Sequence, residues 1–92
     1  MSWAVFFSKK AKKQIRELPE PVQFKLDVLE SDIRAYGPVR GNWKNYSKLT
    51  EAKHHCHLKS GHPTYVVCWE VIDRTIKIVE IYYAGTHEKA PY

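Results

Sequence analysis

The spacing of hydrophobic positions changes along this chain, and each spacing calls for a different element. Trp3 to Phe7 is a compact apolar and aromatic run suited to an opening strand. Ser8 stands where an N-cap belongs, before a helix running to about Leu18. Ala11, Ile15 and Leu18 follow at helical spacing, lysines fill the other faces, and Pro19 stops the element. Pro21 sits where prolines open helices, and a second helix runs to about Tyr36. Val22, Leu26, Leu29, Ile33 and Tyr36 give it one apolar stripe, opposite Lys25, Asp27, Glu30, Asp32 and Arg34. Gly37-Pro38 ends it, so the two helices form an αα-hairpin.

Beyond Pro38 the period drops to two. A short strand fits around Tyr46-Ser47-Lys48, Thr50-Glu51-Ala52 turns the chain, and Lys53 to Lys59 is a second strand. Ser60-Gly61-His62-Pro63 is a hairpin turn by composition. Tyr65 to Ile72 is apolar almost throughout, as a central strand covered on both faces should be. Asp73-Arg74 turns again, Thr75 to Tyr83 forms the last strand, and Gly85 breaks it before the tail Thr86–Tyr92.

The expected fold is therefore α+β in the order β-α-α-β-β-β-β. It comprises a twisted, antiparallel-dominated sheet with the αα-hairpin on one face and the other face partly open. No linker or repeat divides residues 1–92, so a single domain is expected. Of its residues, 43% are hydrophobic, enough for a core and too many for disorder throughout. No apolar run approaches the roughly 20 residues that span a bilayer, and Met1 to Ser8 lacks the basic start of a signal peptide. No membrane association and a cytoplasmic setting are expected. There, Cys56 and Cys68 are two buried thiols rather than a disulfide.

The net charge of +5 favours an anionic partner. Lys9, Lys10, Lys12, Lys13 and Arg16 load the first helix, while Arg40, Lys44, Lys48, Lys53 and Lys59 are spread through the middle of the chain. The most distinctive stretch is Lys53-His54-His55-Cys56-His57-Leu58-Lys59. Strand alternation turns His55, His57 and Lys59 one way and His54, Cys56 and Leu58 the other. A core has no need of basic, proton-exchanging groups at alternate positions, whereas a surface that grips an anion and moves a proton on it does. His54 belongs to the structure, facing the core side or an edge.

With this element order, the chain resembles the RelE/ParE superfamily of bacterial toxins from type II toxin–antitoxin modules. The resemblance rests on the basic helix Lys9-Lys10-Ala11-Lys12-Lys13-Gln14-Ile15 and the segment Gly41-Asn42-Trp43-Lys44-Asn45-Tyr46. The strand Tyr65-Val66-Val67-Cys68-Trp69-Glu70-Val71 and the ending Tyr83-Ala84-Gly85-Thr86-His87-Glu88 add to it. The Gly-x-Trp-Lys-x-Tyr and Gly-Thr-His pieces look most like the YafQ-type branch. No single piece is as specific as a P-loop; their order makes the case. The resemblance implies a bacterial, cytoplasmic toxin held inactive by a cognate antitoxin. It also implies an endoribonuclease that cleaves mRNA in the ribosomal A site by metal-independent attack of a ribose 2′-hydroxyl on the adjacent phosphate. The ParE branch has the same fold but inhibits DNA gyrase, and a ParE-like inhibitor or an inactive antitoxin-binding homologue is the alternative.

Residue by residue, the resemblance implies basic catalytic positions at His55, His57 and Lys59 and at His87 after the last strand, with Tyr92 as the aromatic that stacks on a base. Many RelE members carry a phosphate-contacting arginine early in the penultimate strand, where this chain has Val66. Other cations must then face the phosphate, and His62, Lys48 and Lys53 are available. An acidic residue of the YafQ branch finds a counterpart here only by shifting the alignment. Transesterification needs a base, an acid and positive charge on the transition state, and histidine suits the proton transfers. His57 or His55 is expected as base, His87 as acid, Lys59 and Lys53 on phosphates, and Tyr92 or Tyr82 stacked on a base. Clustered cations should lower the imidazole pKa values. A zinc site from His55, His57 and either His62 or His87 is the competing assignment. No cysteine or carboxylate completes it clearly, so no metal and no other cofactor are expected.

Overall fold

In the computed structural model, which describes residues 2–92, one five-stranded sheet carries two helices on one face. Met1, where the segment considered as a signal peptide begins, lies outside the described residues. The elements are β1 (Ala4–Phe7), α1 (Lys9–Arg16), α2 (Glu20–Tyr36), β2 (Ser47–Lys48), β3 (Lys53–Lys59), β4 (Tyr65–Asp73) and β5 (Ile78–Thr86), then a 3-10 turn at His87–Lys89. The sheet order is β1-β5-β4-β3-β2. Its β2–β3, β3–β4 and β4–β5 pairings are antiparallel, and only β1 runs parallel to its neighbour, β5. Among the described residues, no helix is long and apolar enough to cross a membrane.

Ser8 caps α1 as expected, its Oγ accepting from the Ala11 N–H at 3.0 Å. The helix stops at Arg16, two residues short of Leu18, where Glu17 forms the C-cap. Gln23 of α2 donates its side-chain amide to the carbonyls of Ile15 (2.9 Å) and Leu18 (3.1 Å), closing the hairpin between the helices. The α2 stripe buries Val22, Leu26, Leu29 and Ile33 against Val67, Trp69, Val71, Val79 and Ile81 of the sheet. Tyr36, expected in that stripe, is instead 73% exposed, and the Arg40 guanidinium lies over its ring. The stripe has already turned away at the helix end, where Gly37 takes a positive φ of 95°.

β4 lies at the centre of the sheet and is covered on both faces. Val67, Trp69 and Val71 meet the helices, while Val66 and Cys68 form a smaller cluster with Tyr83 on the other side. The two cysteines are unbridged and buried on opposite faces, and burial pushes each thiol up to about 12.

The last strand departs from its expected bounds, starting at Ile78 and ending at Thr86. The turn before it is longer because the Asp73 carboxylate accepts from the N–H groups of Thr75 and Ile76 (2.8 and 3.0 Å) and Lys77 adopts a left-handed φ of 58°. Gly85 does not break the strand; it pairs with Val66. Tyr83 donates its hydroxyl to the Thr86 carbonyl at 2.7 Å, and the Tyr83 hydroxyl oxygen lies only 2.8 Å from where a Cβ at position 85 would stand.

Gly37 combines two reasons for glycine, a left-handed backbone and a close neighbour. A side chain there would be strained at φ 95°, and its Cβ would press on the Trp3 indole nitrogen at 3.0 Å. Gly37→Ala should therefore lower the unfolding free energy by about 1–3 kcal/mol. Urea titration checks this, and an unchanged midpoint would mean that the backbone at Gly37 is not constrained in solution.

Candidate active site

β3 separates its histidines between two faces. His54 turns toward the helices, where its ring stacks on Trp69 (centroids 5.8 Å, planes 5° apart) and on Tyr46 (5.8 Å, 26°). The Tyr46 hydroxyl is 2.6 Å from His54 Nδ1, and the ring is 1% exposed. Its Nε2 is buried, with no hydrogen-bond partner among the described residues. Burial first, then the charges of Lys48 and Arg74, push this imidazole down to about 4. His54 is thus a neutral core residue, as its alternation predicts.

His55 and His57 pair with Cys68 and Val66 and lie on the face away from the helices. His55 is 8% exposed, and its Nδ1 is 3.1 Å from Ser47 Oγ on β2. The ring of His57 lies 6.0 Å from that of His55 and meets His87 edge-on at 5.7 Å. His87 opens the 3-10 turn, where its backbone N–H donates to the Thr64 carbonyl at 2.8 Å. Tyr92 closes the group, 4.6 Å from His55 and 6.1 Å from His87. The fold thus gathers three imidazoles and one phenol from β3, the 3-10 turn and the tail.

Both strand imidazoles are held below the ordinary histidine range. For His55 the main cause is burial; the Ser47 backbone opposes it and the nearby His87 adds to it. For His57 burial again leads, followed by the positive charges of His55, His87 and Lys44. Clustered cations do lower these pKa values, but desolvation is the larger effect. At neutral pH both rings are free to accept a proton.

The remaining sequence-derived positions divide. Lys53 pairs with Glu70 and continues the His55–His57 row, its Nζ 5.5 Å from the centroid of the Tyr82 ring. A bulge in β5 leaves Tyr82 without a partner in β4, and it joins Tyr83 on the cluster of Val66 and Cys68. Burial first, and then Cys68, raise the Tyr82 hydroxyl. Lys59 departs from the expected row because a bulge at Leu58 shifts the register. Lys59 then pairs with Tyr65, a residue packed on the helix side, and is exposed. The open-face row is therefore Lys53-His55-His57. Lys48 pairs with His54, on the helix-side register, and lies 4.0 Å from Glu51. His62 is exposed in the β3–β4 turn, outside the ring cluster. Val66 is the cross-strand partner of His57 and is fully buried, in a cluster with Cys68 and Tyr83.

Two contributors were not singled out from sequence. Lys44 accepts the His57 N–H on its carbonyl at 2.8 Å and places its charge near that ring. Ser47 is the cross-strand partner of His55. Lys44 comes from a loop, where alternation says nothing, and its signals were its charge among the basic residues of the middle of the chain and its place in Gly41–Tyr46. Finding Ser47 required the β2–β3 register. Among the described residues, no set of three or more His, Cys, Asp or Glu side chains is disposed to hold a metal ion.

No protein-family model matches the chain, and no curated protein matches it in sequence. Solved structures do match. A double arginine-to-alanine mutant of the Escherichia coli toxin RelE in the free state superposes with a TM-score of 0.74 at 20% identity, over 98% of this chain and 88% of that one. A chain of the archaeal RelE–RelB complex from Pyrococcus horikoshii gives 0.70 at 16%, over 98% and 100%. A chain of the intact Escherichia coli RelBE toxin–antitoxin complex gives 0.66 at 18%, over 96% and 100%. The protein therefore has the RelE fold.

The buried histidine makes stability depend on pH. Above pH 6.5, His54 is neutral in the folded and unfolded chains alike and adds no pH dependence. Between 6.5 and about 4 the unfolded chain takes the proton and the folded one does not, so stability falls as pH falls. Over that window the loss from His54 should reach about 3 kcal/mol. Urea unfolding of wild type and His54→Gln across pH 4–7 tests this; equal slopes for the two proteins would exclude His54 as the source.

Proposed function

We propose that this protein is the toxin of a type II toxin–antitoxin module and an endoribonuclease that cleaves mRNA. The observation that carries the proposal is the contact of His87 with His57, two proton-transfer groups brought together from opposite sides of the β4–β5 hairpin on the open face of a RelE fold. The 2′-hydroxyl of one nucleotide attacks its own 3′-phosphate. A neutral imidazole on β3, His55 or His57, takes the hydroxyl proton, and His87 returns a proton to the departing 5′-oxygen. Lys53 supplies positive charge on one side of the row and Lys44 on the other. Tyr92, half exposed beside His55 and His87, offers an aromatic face to a base. The chemistry needs no metal.

The ribosomal A site is the proposed setting, with a cognate antitoxin as the silencing partner. Two of the similar structures are RelE–RelB complexes, which supports such a partner here. A net charge of +5 suits a chain that works among RNA phosphates.

Replacing His57 and His87 together by alanine should abolish growth arrest and lower mRNA cleavage by at least about 10²-fold, with the fold retained by circular dichroism. Primer extension on mRNA from induced cells reads the cuts directly. Full toxicity of the double mutant would refute the ribonuclease assignment, and growth arrest by wild type without any RNA cut would favour a gyrase-type binding inhibitor.

The pKa shifts set a second expectation. A base held below the usual imidazole range stays neutral as pH falls, so kcat/KM for RNA cleavage should rise with pH and level off below pH 6.5. A midpoint above 6.5 in the free enzyme would mean that neither His55 nor His57 is the base.

A further inference from the structure

α2 carries two apolar rows, and the sheet accounts for one of them. Val22, Leu26, Leu29 and Ile33 are buried against it. Phe24, Val28 and Tyr36 belong to a second row at four-residue spacing, completed by Glu20 and Asp32. That row faces solvent: Phe24 is 68% exposed, Val28 40% and Tyr36 73%, and Val39, just beyond the helix, is 57% exposed. Half of the large hydrophobic side chains exposed among the described residues lie on this one stretch, from Phe24 to Val39. Single exposed apolar residues need no explanation, but a contiguous row on one helix marks a surface that a partner covers.

The two ends of the row differ in shape and charge. Glu20, Pro21, Phe24 and Lys25 line a shallow, mostly apolar groove of about 610 Å³ at the start of the helix. At the other end the Tyr36 ring stands in solvent, with the Arg40 guanidinium 5.4 Å from its centroid. Arg40 Nε donates to the Gly37 carbonyl at 3.0 Å, which holds that cation beside the ring. Among the described residues, neither Glu20 nor Arg40 has an ion-pair partner. An apolar groove with a carboxylate at one end thus matches an aromatic ring with a cation at the other. One helix cannot bring its own ends together, because Phe24 and Tyr36 are about 18 Å apart along its axis. A second copy can.

We propose that α2 is the contact surface of a homodimer, in which two copies of the helix dock antiparallel along this row. A two-fold axis midway between Phe24 and Tyr36 sets each Tyr36 into the Phe24 groove of the other copy. The same axis brings each Arg40 beside the other copy's Glu20. Each contact is therefore made twice, as a self-complementary interface requires. Lys25 comes within reach of the other copy's Asp32, whose carboxylate also accepts from Trp43 at 2.9 Å. Ridges at four-residue spacing are those that interdigitate in the commonest class of helix packing. One helix face makes a small interface, so association is weak and depends on concentration. The helices cover the face of the sheet opposite the imidazole cluster, so both clusters stay open in the dimer. The proposal stands apart from the ribonuclease assignment.

Sedimentation equilibrium of the full chain, at concentrations rising into the millimolar range, should show a monomer–dimer equilibrium. Phe24→Glu, at an exposed position, should keep the wild-type circular dichroism spectrum and weaken dimerisation at least about tenfold. A charge exchange tests the register. Glu20→Arg and Arg40→Glu should each weaken self-association about fivefold, since each turns two attractive pairs into repulsive ones. An equimolar mixture of those two variants should associate as tightly as wild type, because both pairs are again opposite in charge. A wild type that stays monomeric throughout, a Phe24→Glu protein that dimerises like wild type, or a mixture no tighter than either variant alone would overturn the proposal. A monomeric wild type whose Phe24→Glu variant loses its antitoxin would also overturn it and give the face to that partner.

Discussion

The neutral burial of His54 is the constraint on which the candidate site depends. Its ring is packed between Trp69 and Tyr46, so β3 cannot slide by one residue without moving an imidazole out of the core and His55 into it. Trp69 also donates its indole N–H to the Pro38 carbonyl at 3.0 Å, which anchors the start of the loop between α2 and β2. Farther along that loop, Trp43 donates to Asp32 of α2 at 2.9 Å, and the Lys44 carbonyl receives the His57 N–H. A core contact on one face thereby sets the register of the open face and fixes the approach of the loop to it.

Electrostatics at the open face follow mainly from solvent exclusion. The cluster is basic, yet burial contributes more than neighbouring charge to the lowering of His55 and His57. A row of fully solvated histidines with the same charges would remain closer to ordinary imidazole behaviour. Lys53 and Lys44 bracket the rings instead of sitting beneath them. The position across the strand from His57 belongs to Val66, so positive charge at this site arrives from the strand end and the loop.

Local rules read the fold well wherever one face of an element meets the core. The α2 stripe, the Ser8 cap, the two-faced cover of β4 and the division of His54 from His55 all follow from periodicity and capping chemistry. Where such rules failed, the cause was a feature that period alone cannot register. Leu58 is bulged, so Lys59 leaves the row that simple alternation assigned to it. The Asp73 carboxylate holds a longer turn, which moves β5 three residues along the chain. Within the site, alternation on β3 placed His55 and His57, but His87 and Tyr92 were reached only through family resemblance, because their proximity is made by the β4–β5 hairpin. Ser47 carried no signal of its own and Lys44 only that of a charge within a recognised segment, since their relevance is a matter of register and loop path.

The parallel pairing of β1 with β5 has a consequence for the time at which this protein becomes itself. Ala4 to Phe7 wait for Ile78 to Ile81, so the first strand made is the last to find its neighbour. Closing so long a stretch of chain is entropically slow and must precede the contacts that reward it. The imidazole cluster depends on the same long-range closure, since the β4–β5 hairpin that receives β1 also brings His87 beside His57. A chain whose β4–β5 hairpin has not yet docked beside β3 therefore carries these histidines without the cluster they form together.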